Sequence, residues 1–166
     1  LPKGENLYIG SSIKYKSSDS AAKAQKAVLK DELKAIILPK PNSSILGLRI
    51  KLWLYNIAGK PTGKGLRYIL KNKFGEPPVF ANAINFEKNR SIMVNRLQNR
   101  GYFNSAVSVD TVTKNRKTKG LFYAKPAAQY VIDSITFPTD SSELSAAIRS
   151  NVQKTDLIKG NPYDLD

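Results

Sequence analysis

The stretch from Asn99 to Val109, NRGYFNSAVSV, changes its period in the middle. Upstream of it, Phe86, Met93 and Leu97 recur at helical spacing and share one face. Asn85 stands before them as an N-cap, with Glu87 set against the positive end of the helix dipole. Downstream, Val107 and Val109 alternate with Ser108 and Asp110, the pattern of a strand with one apolar face. Gly101 divides the two halves, because glycine takes the left-handed conformation that ends a helix with no Cβ penalty. Tyr102 and Phe103 follow at the corner, where such large side chains are expected to pack back between helices and sheet. A helix handed this directly to a strand demands a fold in which both share one core.

The flanking segments extend the pattern. The strand Ala106 to Thr113 runs into the polar stretch KNRKTKG, Lys114 to Gly120, which reads as a hairpin turn with a second strand starting at Leu121. So short a connection makes the two strands antiparallel. Toward the N-terminus, Leu7 to Lys16 alternates as a strand, and the Ser-Ser-Asp-Ser run after it reads as a helix start. From Ser20 to Leu38, Ala22, Leu29, Leu33 and Ile36 form one helical stripe, with Lys23, Lys26, Lys30 and Lys34 on the other face. Pro39 and Pro41 stop that helix.

Residues 42–82 read less clearly. Ile45 to Asn56 fits a strand or a buried or interfacial helix. Gly59, Pro61, Gly63 and Gly65 mark a loop, and Leu66 to Phe74 carries a short helical stripe of Leu66, Ile69 and Leu70. After the hairpin, Tyr130 to Pro138 reads as a strand and Ser141 to Asn151 as a helix capped by Ser141 or Ser142. Lys159 to Asp166 reads as a further helix start, with Pro162 at an early position. The element order repeats its own opening, which makes the chain an α+β protein of tandem β-α-α-β-β modules. Residues 1–129 are expected to form the first module, with an insertion at about 39–82, and 130–166 the truncated start of a second, inside a longer protein.

Composition narrows the chemistry. Lysine and arginine number 27 against 13 acids, a formal charge of +14 that favours an anionic partner. With neither cysteine nor histidine, the chain has no thiol nucleophile, disulfide, zinc-thiolate site or imidazole base. The scattered acids suggest no metal-ligand cluster, so no catalytic residue, cofactor or metal is expected. No apolar run approaches the roughly 18 residues a membrane-spanning helix needs. A basic nucleic-acid-binding domain competes on charge and tyrosines alone. The charge is spread along the whole chain without a recognised motif, so no nucleic acid partner is expected.

The corner Asn99-Arg100-Gly101-Tyr102-Phe103, followed by Val107, Val109 and a second strand, resembles the POTRA (polypeptide-transport-associated) module. Such modules precede the membrane barrel in outer-membrane assembly factors related to BamA and TamA. Gln129 to Ile135 is similar to the first strand of a following module, and Gly160-Asn161-Pro162-Tyr163 to its second helix start. Lys40-Pro41-Asn42, Leu46 to Arg49, Leu52 to Asn56 and Gly75 to Val79 resemble the TamL branch, a lipoprotein-anchored TamA-like form. The roughly forty residues between the two helices of the first unit are a departure, longer than a compact module needs.

The resemblance implies modules with a three-stranded mixed sheet covered by two helices, in the periplasm and attached to the outer membrane through the rest of the chain. The implied partners are unfolded outer-membrane proteins, a C-terminal barrel of the same chain and a TamB-like protein. It also implies that an edge strand, here Ala106, Val107, Ser108, Val109, Asp110, Thr111 and Val112, receives an extended client segment by β-augmentation. Lys114, Arg116, Lys117 and Lys119 are candidates for contact with anionic lipid headgroups or an acidic neighbour, or form a solvated hairpin tip. Trp53, Tyr55 and Tyr68 are candidate membrane-interface anchors, with packing of the insertion on its module as the competing role. A rigid spacer or docking scaffold, for a partner protein or a membrane surface, is the alternative to client guidance.

Overall fold

A computed structural model of the protein describes residues 2–15, 23–155 and 157–165. One three-stranded mixed sheet carries the core. Its strands are β1 (Leu7–Tyr15), β2 (Ala106–Lys114) and β3 (Lys117–Lys125), in the order β1-β3-β2. β3 lies in the centre, parallel to β1 and antiparallel to β2. Helices α1 (Lys23–Ala35) and α4 (Phe86–Asn99) contribute their apolar faces to one side of this sheet. Between them in sequence come α2 (Ile50–Ile57) and α3 (Leu66–Ile69), and α5 (Glu143–Ser150) follows the hairpin. The chain is α+β, as its alternating periods indicate.

The core forms where the stripes meet. Leu29 and Leu33 of α1, Met93 and Leu97 of α4, and Ile13, Val107, Phe122 and Ala124 of the sheet are all buried in one cluster. Full burial of a side chain the size of Leu97 or Phe122 is worth about 1.5–3 kcal/mol. Phe86, half-buried at the start of α4, lies between Tyr8 and Phe122 with ring centroids 6.1 and 6.5 Å away. Lys30 and Lys34 are exposed as the stripe requires, whereas Lys16, Ser20, Ala22 and the side chains of Lys23 and Lys26 lie outside the described residues.

Several elements match their sequence signals closely. Asn85 caps α4, its Oδ1 accepting from the Lys88 amide at 2.8 Å. Gly101 ends the helix at φ 80°, and the Tyr102 and Gly101 amides donate to the Leu97 and Gln98 carbonyls at 2.8 and 2.9 Å. That pair of bonds is the Schellman closure, which satisfies carbonyls a helix would otherwise leave open. The Ser142 cap of α5 is likewise present, with its Oγ accepting from the Ser145 amide.

Other expectations need correction. The hairpin turn is only Asn115 and Arg116, both left-handed at φ 50° and 58°, so Lys117 to Gly120 belong to β3 rather than to a loop. A two-residue turn with both residues left-handed matches the strand twist, and the polar run therefore pairs to its end. Tyr102 is buried, but Phe103 is not a core residue. Its ring meets Tyr130 edge-on at 5.2 Å and Tyr163 at 5.1 Å, outside the sheet–helix cluster. Tyr130 to Pro138 forms no strand, and Lys159 to Leu165 forms no helix. Among the described residues no further strand is present to accept their backbone groups. They satisfy each other locally instead: Ile132 N donates to Asn161 O, Gly160 N to Ile132 O, and Tyr163 N to Tyr130 O.

The insertion between α1 and α4 folds as a small helical hairpin. α2 is a helix and not a strand. α3 continues as a π-helical turn, Leu70–Phe74, that packs against α2. Gly75 makes the close return possible, since a Cβ there would lie 2.6 Å from Lys71 O and 2.9 Å from the Tyr55 Cα. Glu76 N donates to Lys51 O, and Lys71 Nζ reaches both Gly59 O at 2.5 Å and the Tyr55 ring at 4.7 Å.

Candidate functional site

The two outer strands of the sheet are treated differently, and the insertion is the reason. Tyr8 N of β1 donates to Val79 O at 2.8 Å, Leu7 bridges Phe80, and Ala81 N donates to Asn6 O at 2.8 Å. Arg49 Nη2 donates to Ile9 O at 3.3 Å. The returning end of the insertion thus covers the first half of the β1 edge. It is locked there by Asn42, which is buried: its Nδ2 donates to Pro77 O at 2.7 Å and its Oδ1 accepts from Val79 N at 2.9 Å. Glu76 fastens the same strand of chain by accepting from the Ser43 amide and hydroxyl. Burial opposes ionisation of Glu76, yet the bonds from Ser43 and Asn42 and the nearby Lys51 hold its carboxyl below the usual range.

β2 has no such cover. Among the described residues no backbone bond reaches its outer edge. The turn at Asn115–Arg116 makes Lys114 and Lys117 the closing hydrogen-bonded pair, and the pattern alternates from there. Ala106, Ser108, Asp110, Val112 and Lys114 therefore aim their backbone groups at β3. Val107, Val109, Thr111 and Thr113 aim theirs outward, away from the sheet. This is the row that an added strand would meet. Asp110 partly guards it, for its Oδ1 accepts from the Thr111 amide at 2.7 Å.

The two faces of this edge differ in kind. Val107 is buried and Val109 half-buried beneath the helices, opposite Ala124 and Phe122. Ser108, Asp110 and Val112 look to the other face, opposite Tyr123, Leu121 and Lys119. There Ile9, Val112 and Leu121 line a shallow cleft rimmed by Lys114, Lys117 and Lys119. The basic candidates thus separate: the three lysines surround the cleft, while Arg116 is engaged elsewhere. Its guanidinium donates to Pro2 O and, at 3.2 Å, to Glu5 O, tying the hairpin tip to the N-terminal segment.

The aromatic candidates separate as well. Trp53 is 59% exposed and Tyr68 41%, whereas Tyr55 is half-buried under Lys71 against Gly75. Leu52 and Ala58 are buried, so the insertion packs inward through these and Tyr55, not through Trp53. Alternation alone marked β2 and its facing, while its place at the sheet edge was expected only from the resemblance. Sequence reasoning missed the cover over β1, since the bonding of Val79 carries no periodic signal.

Chemically, the arrangement offers hydrogen-bonding backbone, apolar surface and positive charge. Among the described residues no group of three or more acids or histidines could hold a metal ion. No helix of the described residues is long and apolar enough to cross a membrane. The chain matches no family model, no curated protein and no solved structure.

Proposed function

We propose that this chain is the POTRA-like periplasmic region of an outer-membrane barrel assembly factor, and that β2 receives extended segments of unfolded outer-membrane proteins. The observation that carries this reading is the asymmetry of the sheet: β1 is covered by the Val79–Phe80 return, while the outward amides of Val107, Val109 and Thr113, beside a central β3, have no backbone partner among the described residues. Main-chain pairing is tolerant of sequence, which suits a factor serving many clients. Val107 and Val109 would receive the apolar side of an alternating client strand, and the cleft at Ile9, Val112 and Leu121 its other side.

A scaffold role is favoured by a different observation. Arg100 joins Glu32 at 2.9 Å and Asp164 at 2.5 Å, and Tyr130 and Leu165 donate to Gly101 and Asn99, so the segment after the hairpin is held firmly against the α1–α4 end of the module. Such joints position neighbours whether or not a client binds.

The experiment is an NMR titration of the chain with an unfolded peptide alternating as a barrel strand does, at low and high salt. Client binding predicts shifts on Val107 to Thr113 that survive salt. Val109→Pro removes an outward amide without touching the β2–β3 ladder, and should abolish them. Thr113→Pro, at an exposed position whose outward amide is open, gives the same block without disturbing the core. If no shifts reach this strand, the scaffold role stands alone. If shifts fall only on lysine-rich faces and vanish in salt, charge and not the edge makes the contact.

A further inference from the structure

The insertion presents a second surface that strand addition at β2 leaves unused. Along α2, Ile50, Trp53 and Ile57 fall within about 60° of one another around the helix, given 100° per residue. They are 46%, 59% and 57% exposed, while Leu52 on the opposite face is buried. Just before the helix, Ile45 and Leu48 exchange two backbone bonds of 2.9 Å across a tight turn. Leu46 forms the tip of that turn in the left-handed conformation, φ 51°, and is 98% exposed. A leucine held in a strained conformation and pushed wholly into water contributes nothing to this chain's own core.

The charge of the insertion as a whole selects what could cover this face. Residues 39–82 carry eight lysines and arginines against a single acid, Glu76, which Ser43 already occupies. Lys51, Lys60, Lys64 and Arg67 are all exposed. We propose that the insertion is a membrane-surface foot: Leu46, Ile50, Trp53 and Ile57 sink into the interfacial layer of an anionic phospholipid bilayer, with these cations against the headgroups. A short amphipathic helix lying in the interface takes its attraction from buried apolar area and from anionic lipid together. A tryptophan at headgroup depth places its ring in the apolar layer and its N–H in water. The foot does not include Tyr55, which the Lys71 contact holds inside the insertion. It stands or falls independently of the β2 edge.

Trp53 is the only tryptophan in the chain, so its emission reports this face alone. The chain is titrated with vesicles of equal parts phosphatidylglycerol and phosphatidylcholine, with pure phosphatidylcholine vesicles beside them. The expected result is a blue shift of Trp53 emission on the anionic vesicles, with quenching by brominated acyl chains, and little change on the neutral ones. Leu46→Ser with Ile50→Ser, both at exposed positions, should lose the shift, and Lys64→Gln with Arg67→Gln should weaken it several-fold. Sedimentation with anionic vesicles while Trp53 emission stays unshifted would overturn the foot, since lysines alone would then make the contact. An unshifted spectrum without sedimentation would overturn it too. So would a blue shift that follows protein concentration in the absence of lipid, which would make a second copy the occupant.

Discussion

Asn89 of α4 holds the backbone of Leu38 by both of its polar groups: its Oδ1 accepts from the Leu38 amide at 3.0 Å and its Nδ2 donates to the Leu38 carbonyl at 2.8 Å. Asn89 is buried, and Leu38 is where the chain leaves the α1 segment for the insertion. The carboxamide therefore completes, from a distant helix, backbone bonds that Pro39 and Pro41 prevent the α1 helix from continuing. Asn89→Ala should cost about 1–3 kcal/mol, since it strands a backbone pair as well as losing the bonds. Denaturant unfolding should show a lower midpoint at unchanged slope, and an unaltered midpoint would contradict the clamp.

Gly101 combines two constraints at one position. Its φ is 80°, and a Cβ there would lie 2.6 Å from the Tyr163 carbonyl oxygen. Gly101→Ala should cost about 1–2 kcal/mol for the left-handed backbone alone. The contact with Tyr163 adds a displacement. Hydrogen exchange should then accelerate at the Tyr130 and Leu165 amides, which donate to Gly101 and Asn99. Unchanged protection at both would show that this joint does not depend on the missing Cβ.

Tyr15 gives the fold an alkaline limit. Its hydroxyl is buried with no hydrogen-bond partner among the described residues. Burial first, then Tyr102, Asp31 and Glu32, push its pKa from 10.0 up to about 12. The folded state thus holds this proton more tightly than the unfolded one. That stability is complete below about pH 10 and is lost as pH rises through about 12. Tyr15→Phe should leave neutral-pH stability within about 1 kcal/mol. It should also flatten the alkaline decline measured by denaturant midpoints across that window.

Asp140 sets the opposite limit at α5. Hydrogen bonds from Ser142 and then Ser145 lower its carboxyl from 3.8 to about 2, with the Ser145 hydroxyl at 2.6 Å and the Ser142 amide at 2.9 Å. A depressed carboxylate stabilises the folded state above the unfolded value and ceases to as pH falls through the folded one. The α5 start should therefore stay intact down to about pH 4 and loosen toward about pH 2. Carboxyl NMR titration checks this directly. Ser145→Ala should move the Asp140 midpoint back toward 3.8, and a midpoint indifferent to that change would remove Ser145 as a cause.

What the sequence determined by itself is the set of elements whose signals are local. The stripe of Leu29 and Leu33, the Asn85 cap, the Gly101 stop and the alternation of Val107 and Val109 each follow from side-chain period or backbone freedom within a few residues. The tertiary structure decided everything that turns on where a backbone amide finds its acceptor. It chose Val79 to cover β1 and left the outward row of β2 open. It drew Lys117 to Gly120 into β3, and paired Tyr130 and Ile132 with Gly160, Asn161 and Tyr163 in place of a second sheet. It turned Trp53 outward while seating Leu52 and Tyr55, a choice that period alone leaves open in so apolar a segment. The physical reason is the same in each case: every strand edge and chain reversal must satisfy its N–H and C=O groups, and their partners lie far off in sequence, where no local pattern records them.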